Sequence, residues 1–345
     1  MKLYATIAVY VHAEDILRAP GFLDKIKRAF GGKPDLRTGR VRSALEATAV
    51  VEAARDALRR IGVTNGVSLV IDGTVLFHDR EGNPDDLGDL FIAFHDNESV
   101  FGQGFKELRL AVEHQEAGIR TIVEIQARSE HPREAAAARV IVSGRVEALS
   151  PRPGETAEQY RARAEPVATD GKALEVYKLQ FTSQVDRIRE ALASAMPTAR
   201  VEIEVAEPRV VRPGTEPARQ PQPEERGYDP FDYYYPSPLG MVANAFMWSA
   251  VFSMAMPPHV VVVDGANHVQ GHADDPGIAD GPTSSDTSSA ANGDSWWDAN
   301  ASEAPADTAN VSEPASDGGS WWDGFDGGGD GGGFDGGGFD GGGFD

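Results

Sequence analysis

The chain has 345 residues, no cysteine, 54 acidic side chains against 32 basic ones, and a formal net charge of -22. The missing cysteines exclude disulfides, thiolate metal sites and cysteine nucleophiles. The acidity argues against nucleic acid as a direct ligand, because phosphate recognition needs a concentrated basic surface. The imbalance is local: no Lys or Arg follows Arg226, so the remaining 119 residues carry 19 acids and no base, while residues 1–226 are close to neutral.

In chain order, the first residues alternate Leu3, Ala5, Ile7, Val9 and Val11 with Tyr4, Thr6, Ala8 and Tyr10. This period of two predicts a strand, in preference to a cleaved signal ending near Val11-His12-Ala13. Ser43 and Glu46 have capping-box spacing ahead of Leu45, Ala49, Ala53, Ala57 and Ile61, which predicts a helix over 42–61. Val67–Ile71 and Thr74–His78 flank Asp72-Gly73, a hairpin signal. Leu90, Ile92 and Phe94 suggest a further strand. Leu108–Val112 and Ile119–Ala127 form a second hairpin across Glu116-Ala117-Gly118, and Arg139–Leu149 adds one more strand. Thr156 and Gln159 make another capping box. Leu174, Tyr177, Phe181, Val185, Ile188, Leu192 and Ala195 then trace one apolar stripe along a helix over 172–196, which Pro197 ends. Val201, Ile203 and Val205 alternate with charged residues in a last strand.

Strands joined by short turns, with helices near both ends, predict an α+β fold. Its mainly antiparallel sheet carries helices packed on one face, followed by a largely disordered acidic C-terminal tail. The expected organisation is a folded domain over 1–211 and a Pro/Tyr-rich linker over 212–238. An apolar Met-rich segment over 239–263 follows, then a Gly/Asp/aromatic-rich tail over 264–345.

Few residues invite catalytic readings. His78, His95, Asp96 and Glu98 are the candidates, on the strength of two His-Asp dipeptides, but nothing in their spacing makes them converge. His259, His268 and His272 sit near Asp274 and Asp275 among residues that disfavour a helix, and no metal site is expected. No dinucleotide fingerprint, P-loop or nucleophile elbow occurs, and no cofactor is expected.

Two segments carry more weight. Residues 239–256, LGMVANAFMWSAVFSMAM, are uncharged and just long enough to cross a hydrocarbon core of about 30 Å. They read either as a Met-rich docking helix using Met241, Phe246, Trp248 and Phe252, or as a single-pass anchor holding a cytoplasmic domain and an external tail. The tail repeats Ser-Trp-Trp-Asp at 295–298 and 320–323, then Phe-Asp every five residues from Phe334. Trp296, Trp297, Trp321, Trp322, Phe334, Phe339 and Phe344 are thus equivalent weak binding elements whose linkage raises avidity. Their partner would be a protein with a basic and apolar surface.

The acidic, Phe-bearing tip behind a linker resembles the tail of bacterial single-stranded-DNA-binding proteins. This chain departs from that pattern by ending in Asp345, and its helix-containing domain is unlike their barrel. Sequence therefore favours a non-enzymatic adaptor or assembly protein, of bacterial composition and cytoplasmic, with membrane anchoring or an unreadable enzyme site as alternatives.

Overall fold

A computed structural model describes residues 1–11, 39–79, 104–129, 135–215, 219–223, 225, 227–254, 259–275 and 278. The chain divides into two units, Met1–Thr287 and Ser288–Asp345, and all described residues belong to the first. The expected strand over Leu90–Phe94 and the expected disordered tail beyond residue 278 lie outside them.

The elements are β1 (Lys2–Tyr10), α1 (Gly39–Arg60), β2 (Asn65–Ile71), β3 (Thr74–His78), β4 (Glu107–Glu116), β5 (Ile119–Arg128) and β6 (Ala138–Val146). A 3-10 turn (Glu147–Leu149) leads to α2 (Ala157–Ala168), α3 (Gly171–Ala195) and β7 (Arg200–Val211). Then come α4 (Pro230–Tyr234), α5 (Gly240–Ser253), β8 (Val261–Val263) and β9 (Val269–His272). The nine strands form one sheet in the order β3-β2-β4-β5-β6-β1-β7-β8-β9. Each pairing is antiparallel except β7 with β8. The α+β class and the mainly antiparallel sheet agree with the sequence.

Local chemistry explains the elements. Asp72 and Gly73 turn between β2 and β3 at φ 46° and 81°, and Ala117 and Gly118 turn between β4 and β5 at 52° and 75°. These are the paired positive angles of a two-residue hairpin, so Glu116 belongs to β4 and not to the turn. Thr156 and Gln159 close the capping box at α2, and Asp170 caps α3 by accepting from the amides of Lys172 and Ala173. The box expected at Ser43 does not form at a helix start: α1 begins four residues earlier, at Gly39, which leaves Ser43 inside the helix.

One face of the sheet is the apolar core. Leu3, Ile7, Leu108, Leu110, Ile125, Val140 and Val142 are fully buried there. α1 lies against β4 and β5, α3 lies against β7 and β1, and the two helices pack on each other. Gly144 admits the ring of Phe181 from α3: a Cβ at that position would stand 3.4 Å from Phe181 Cε2 and 3.2 Å from Ile119 Cγ2.

Two boundaries differ from expectation. The supposed linker ends early, because Tyr228 and Phe231 are buried against the opposite sheet face. Asp229 followed by Pro230 starts α4 there as N-cap and first-turn proline. The supposed tail starts late, because β8 pairs in parallel beside β7 and, after a turn from Asp264, Val269–His272 return as β9. Asp264 makes that return by accepting from the amides of Ala266 and His268, with Asn267 at φ 59°.

Replacing Phe181 by Ala will cost about 3–5 kcal/mol, through lost burial and the cavity beside Gly144. Equilibrium denaturation with guanidinium measures it. A loss under about 1 kcal/mol would mean that α3 is not seated on the sheet as described.

Candidate functional site: a polar sheet face under a tyrosine strap

The register assigns the second sheet face residue by residue. Across β2, β4, β5, β6 and β1, Ser68, Ala111, Glu124, Ile141 and Thr6 stand in one row. Glu113, Ile122, Ser143 and Tyr4 stand in the next, and Arg120, Arg145 and Lys2 in the row after. This face is charged, and yet Glu124, Arg109, Arg209 and Lys2 are all buried on it. The cover over its middle is residues 227–235, Gly-Tyr-Asp-Pro-Phe-Asp-Tyr-Tyr-Tyr, here called the strap.

Three polar clusters fasten the strap. At its start, the Arg145 guanidinium donates to Asp229 at 2.9 Å and also to Asp232. Lys2 Nζ donates to Asp232 and to Asn267 Oδ1, each at 2.6 Å, and Asn267 Nδ2 donates to the Gly227 carbonyl at 2.9 Å. Asp229 also accepts from Ser143 and from the Phe231 amide. In the middle, Glu124 Oε2 accepts from the hydroxyls of Tyr228 at 2.8 Å and Tyr234 at 2.9 Å, while Gln126 donates to Oε1 at 2.7 Å. At the end, Tyr235 donates to Glu113 Oε2 at 2.8 Å, and Arg120 pairs with Oε1 of the same carboxylate.

Aromatic contacts fill the spaces between. Phe231 packs on Val67, Ala111 and Ile122. The Arg145 guanidinium lies 4.7 Å from the Phe231 ring centroid, and Arg120 lies 4.0 Å from that of Tyr235. Arg145 therefore holds the Phe231-Asp232 dipeptide twice, by its planar face and by its edge.

Burial sets the titration behaviour. Burial alone would push the Asp232 carboxyl up, but the Arg145 and Lys2 charges outweigh it and hold the group well below the usual carboxylate range. Glu124 goes the other way: burial raises its pKa despite Gln126, Arg109 and the two tyrosines. Burial also pushes up the phenols of Tyr228 and Tyr234, each further raised by Glu124, and takes Tyr235 to about 12.

The sequence candidates fare unevenly. His78 is exposed at the end of edge strand β3, in register with Ser68, and joins no cluster among the described residues. His95, Asp96 and Glu98 lie outside the described residues, as do all seven tail aromatics, Trp296 to Phe344. His259 pairs with Asp274 and His268 with Asp264, and no group of metal-ligating side chains occurs among the described residues. Within the Met-rich segment, Gly240–Ser253 is a docked helix. α5 packs on α2 and β7, burying Phe246 and Trp248, with the Tyr160 and Phe246 rings edge to face at 5.6 Å. Phe252 stacks on Trp248 at 4.3 Å, and Met241 is exposed. No helix among the described residues is long and apolar enough to cross a membrane.

Sequence reasoning missed the strap as a site, although its signals were present. Asp229-Pro230 is a helix start, and Arg120 with Glu124, and Ser143 with Arg145, place polar or charged residues on one face of their strands. Chemically the arrangement is an intramolecular contact in which guanidinium, ammonium and carboxylate groups of the sheet meet an acidic, aromatic segment of the same chain. No family model matches the chain, and neither does any curated protein or solved structure compared with it.

Arg145→Ala will destabilise the protein by up to about 3–5 kcal/mol, because it leaves the buried Asp229 and half-buried Asp232 carboxylates to share the single ammonium of Lys2. Denaturant titration reads the loss, and loss of under about 1 kcal/mol would show that the strap contributes little. The tyrosines give a second check by absorbance at alkaline pH. Their folded pKa values are raised, so their contribution is complete below about pH 10 and is lost as pH climbs through the folded values. Tyr228 and Tyr234 will ionise only together with unfolding; a smooth titration near pH 10 with the fold intact would contradict the bonds to Glu124.

Proposed function

We propose that this is a non-enzymatic adaptor or assembly protein whose acidic aromatic repeats recruit a protein partner with a basic and apolar surface. The folded unit supplies a fixed platform. Trp296, Trp297, Trp321, Trp322, Phe334, Phe339 and Phe344 act as several weak, equivalent contacts whose linkage provides avidity. Membrane attachment is not part of this reading, and a cytoplasmic setting suits it.

The supporting observation is the chemistry at Phe231-Asp232. The same dipeptide recurs at Phe334-Asp335, Phe339-Asp340 and Phe344-Asp345. In the strap an arginine lies over the ring and reaches the neighbouring carboxylate. A partner carrying arginines above shallow apolar pockets would receive the repeats by the same pairing of forces.

Replacing all seven tail aromatics by Ala in the full chain will abolish co-precipitation of the partner. Replacing one alone will weaken it by less than about tenfold, as expected of shared avidity. Quantitative mass spectrometry of wild-type and variant pull-downs at low and high salt reads both effects. Retention of every partner by the sevenfold variant ends the proposal.

A further inference from the structure

The strap sits on the sheet as a peptide ligand would. It contributes no strand to the sheet. It lies across β1, β4, β5 and β6, and its terminal Tyr233, Tyr234 and Tyr235 are only partly buried or exposed. What retains it is chiefly polar: two aspartates on Arg145 and Lys2, and three phenols on Glu124 and Glu113. A sheet face that served only to close a core would be apolar, as the opposite face is.

The face also offers more donors than the strap consumes. Arg109 is 5 % exposed, and its neighbours there are Glu124, Tyr234 and Tyr228. Its Nε lies 3.6 Å from Glu107, but among the described residues its Nη1 reaches no hydrogen-bond partner. Thr6, 1 % exposed and one row from Tyr4 on the same face, likewise has a hydroxyl without a partner among the described residues. Two unused donors beside a bound acidic segment are places for further acceptors.

We infer that this face is a receptor for an acidic, aromatic peptide of a partner protein, and that residues 227–235 are its resident, displaceable occupant. The incoming peptide has a Phe or Tyr beside an Asp, seated at Arg145 and Lys2 where Phe231 and Asp232 now lie. It outcompetes the strap by placing a further carboxylate on Arg109 Nη1. The inference concerns the folded unit alone and does not depend on the seven tail aromatics.

The test uses the full chain and two labelled synthetic peptides: the sequence of residues 226–236, and the same sequence with both aspartates replaced by asparagine. In the variant Phe231→Ala/Asp232→Asn the resident strap is weakened. Fluorescence anisotropy should show the acidic peptide binding this variant at least about tenfold more tightly than wild type, and the asparagine peptide binding neither. If the variant unfolds cooperatively and still binds neither peptide, the receptor reading is wrong. Should the variant fail to fold, hydrogen exchange on the wild-type chain decides. A millimolar excess of the acidic peptide carrying one added aspartate, to meet Arg109, should accelerate exchange of the amides of residues 231–235, and unchanged exchange overturns the proposal.

Discussion

The fork formed by Arg145 with Asp229 and Asp232 is the constraint from which the polar half of the molecule follows. A guanidinium on a covered sheet face cannot stay unpaired, since an uncompensated buried charge costs several kcal/mol. Its carboxylates come from a segment 84 and 87 residues further along the chain, so satisfying it draws residues 227–235 across the sheet. Once there, Asp229 also caps α4, and Phe231 reaches an apolar patch of that face, at Val67, Ala111 and Ile122. The same two aspartates hold Lys2 at the start of β1, so the first strand and the strap are fastened through one cluster.

The two sheet faces are therefore stabilised by different physics. The helix-covered face rests on burial of aliphatic and aromatic carbon, which is non-directional and tolerant of small shifts. The strap face rests on directional hydrogen bonds in a low-dielectric setting, where each unmet donor or acceptor is costly. Glu124 illustrates the balance. Its carboxylate accepts from three donors, yet burial still favours its protonated form. The two tyrosines bonded to it can reach it only while the strap is in place, so strap docking and the charge on Glu124 are thermodynamically linked.

Much of the apolar half was legible in the sequence, because its signals are periodic and local. The stripe from Leu174 to Ala195, the Asp72-Gly73 turn and the Thr156 box each depend on residues within a few positions of one another. The strap was not legible as a site, because its meaning lies in contacts between distant residues: nothing near Tyr228 announces that its hydroxyl meets Glu124, 104 residues away. The prolines up to Pro223 and the tyrosines after them read locally as one Pro/Tyr-rich linker over 212–238. Residues 261–263 were similarly opaque, since a three-residue valine run acquires its role only by parallel pairing with β7.

That parallel pairing has a kinetic meaning. It clips the chain on both sides of the strap: residues 209–211 and 261–263 lie side by side, so the strap belongs to a loop closed at both ends. A strap that lifts off cannot diffuse away. It remains leashed near its own seat at an effective concentration on the order of millimolar, so recapture is fast and an outside peptide of equal affinity would rarely find the face vacant. Any molecule that uses the face must bind it far better than the resident does, and its departure would be followed at once by reclosure. The loop thereby sets a threshold and a reset, both fixed by tether length and not by any further contact.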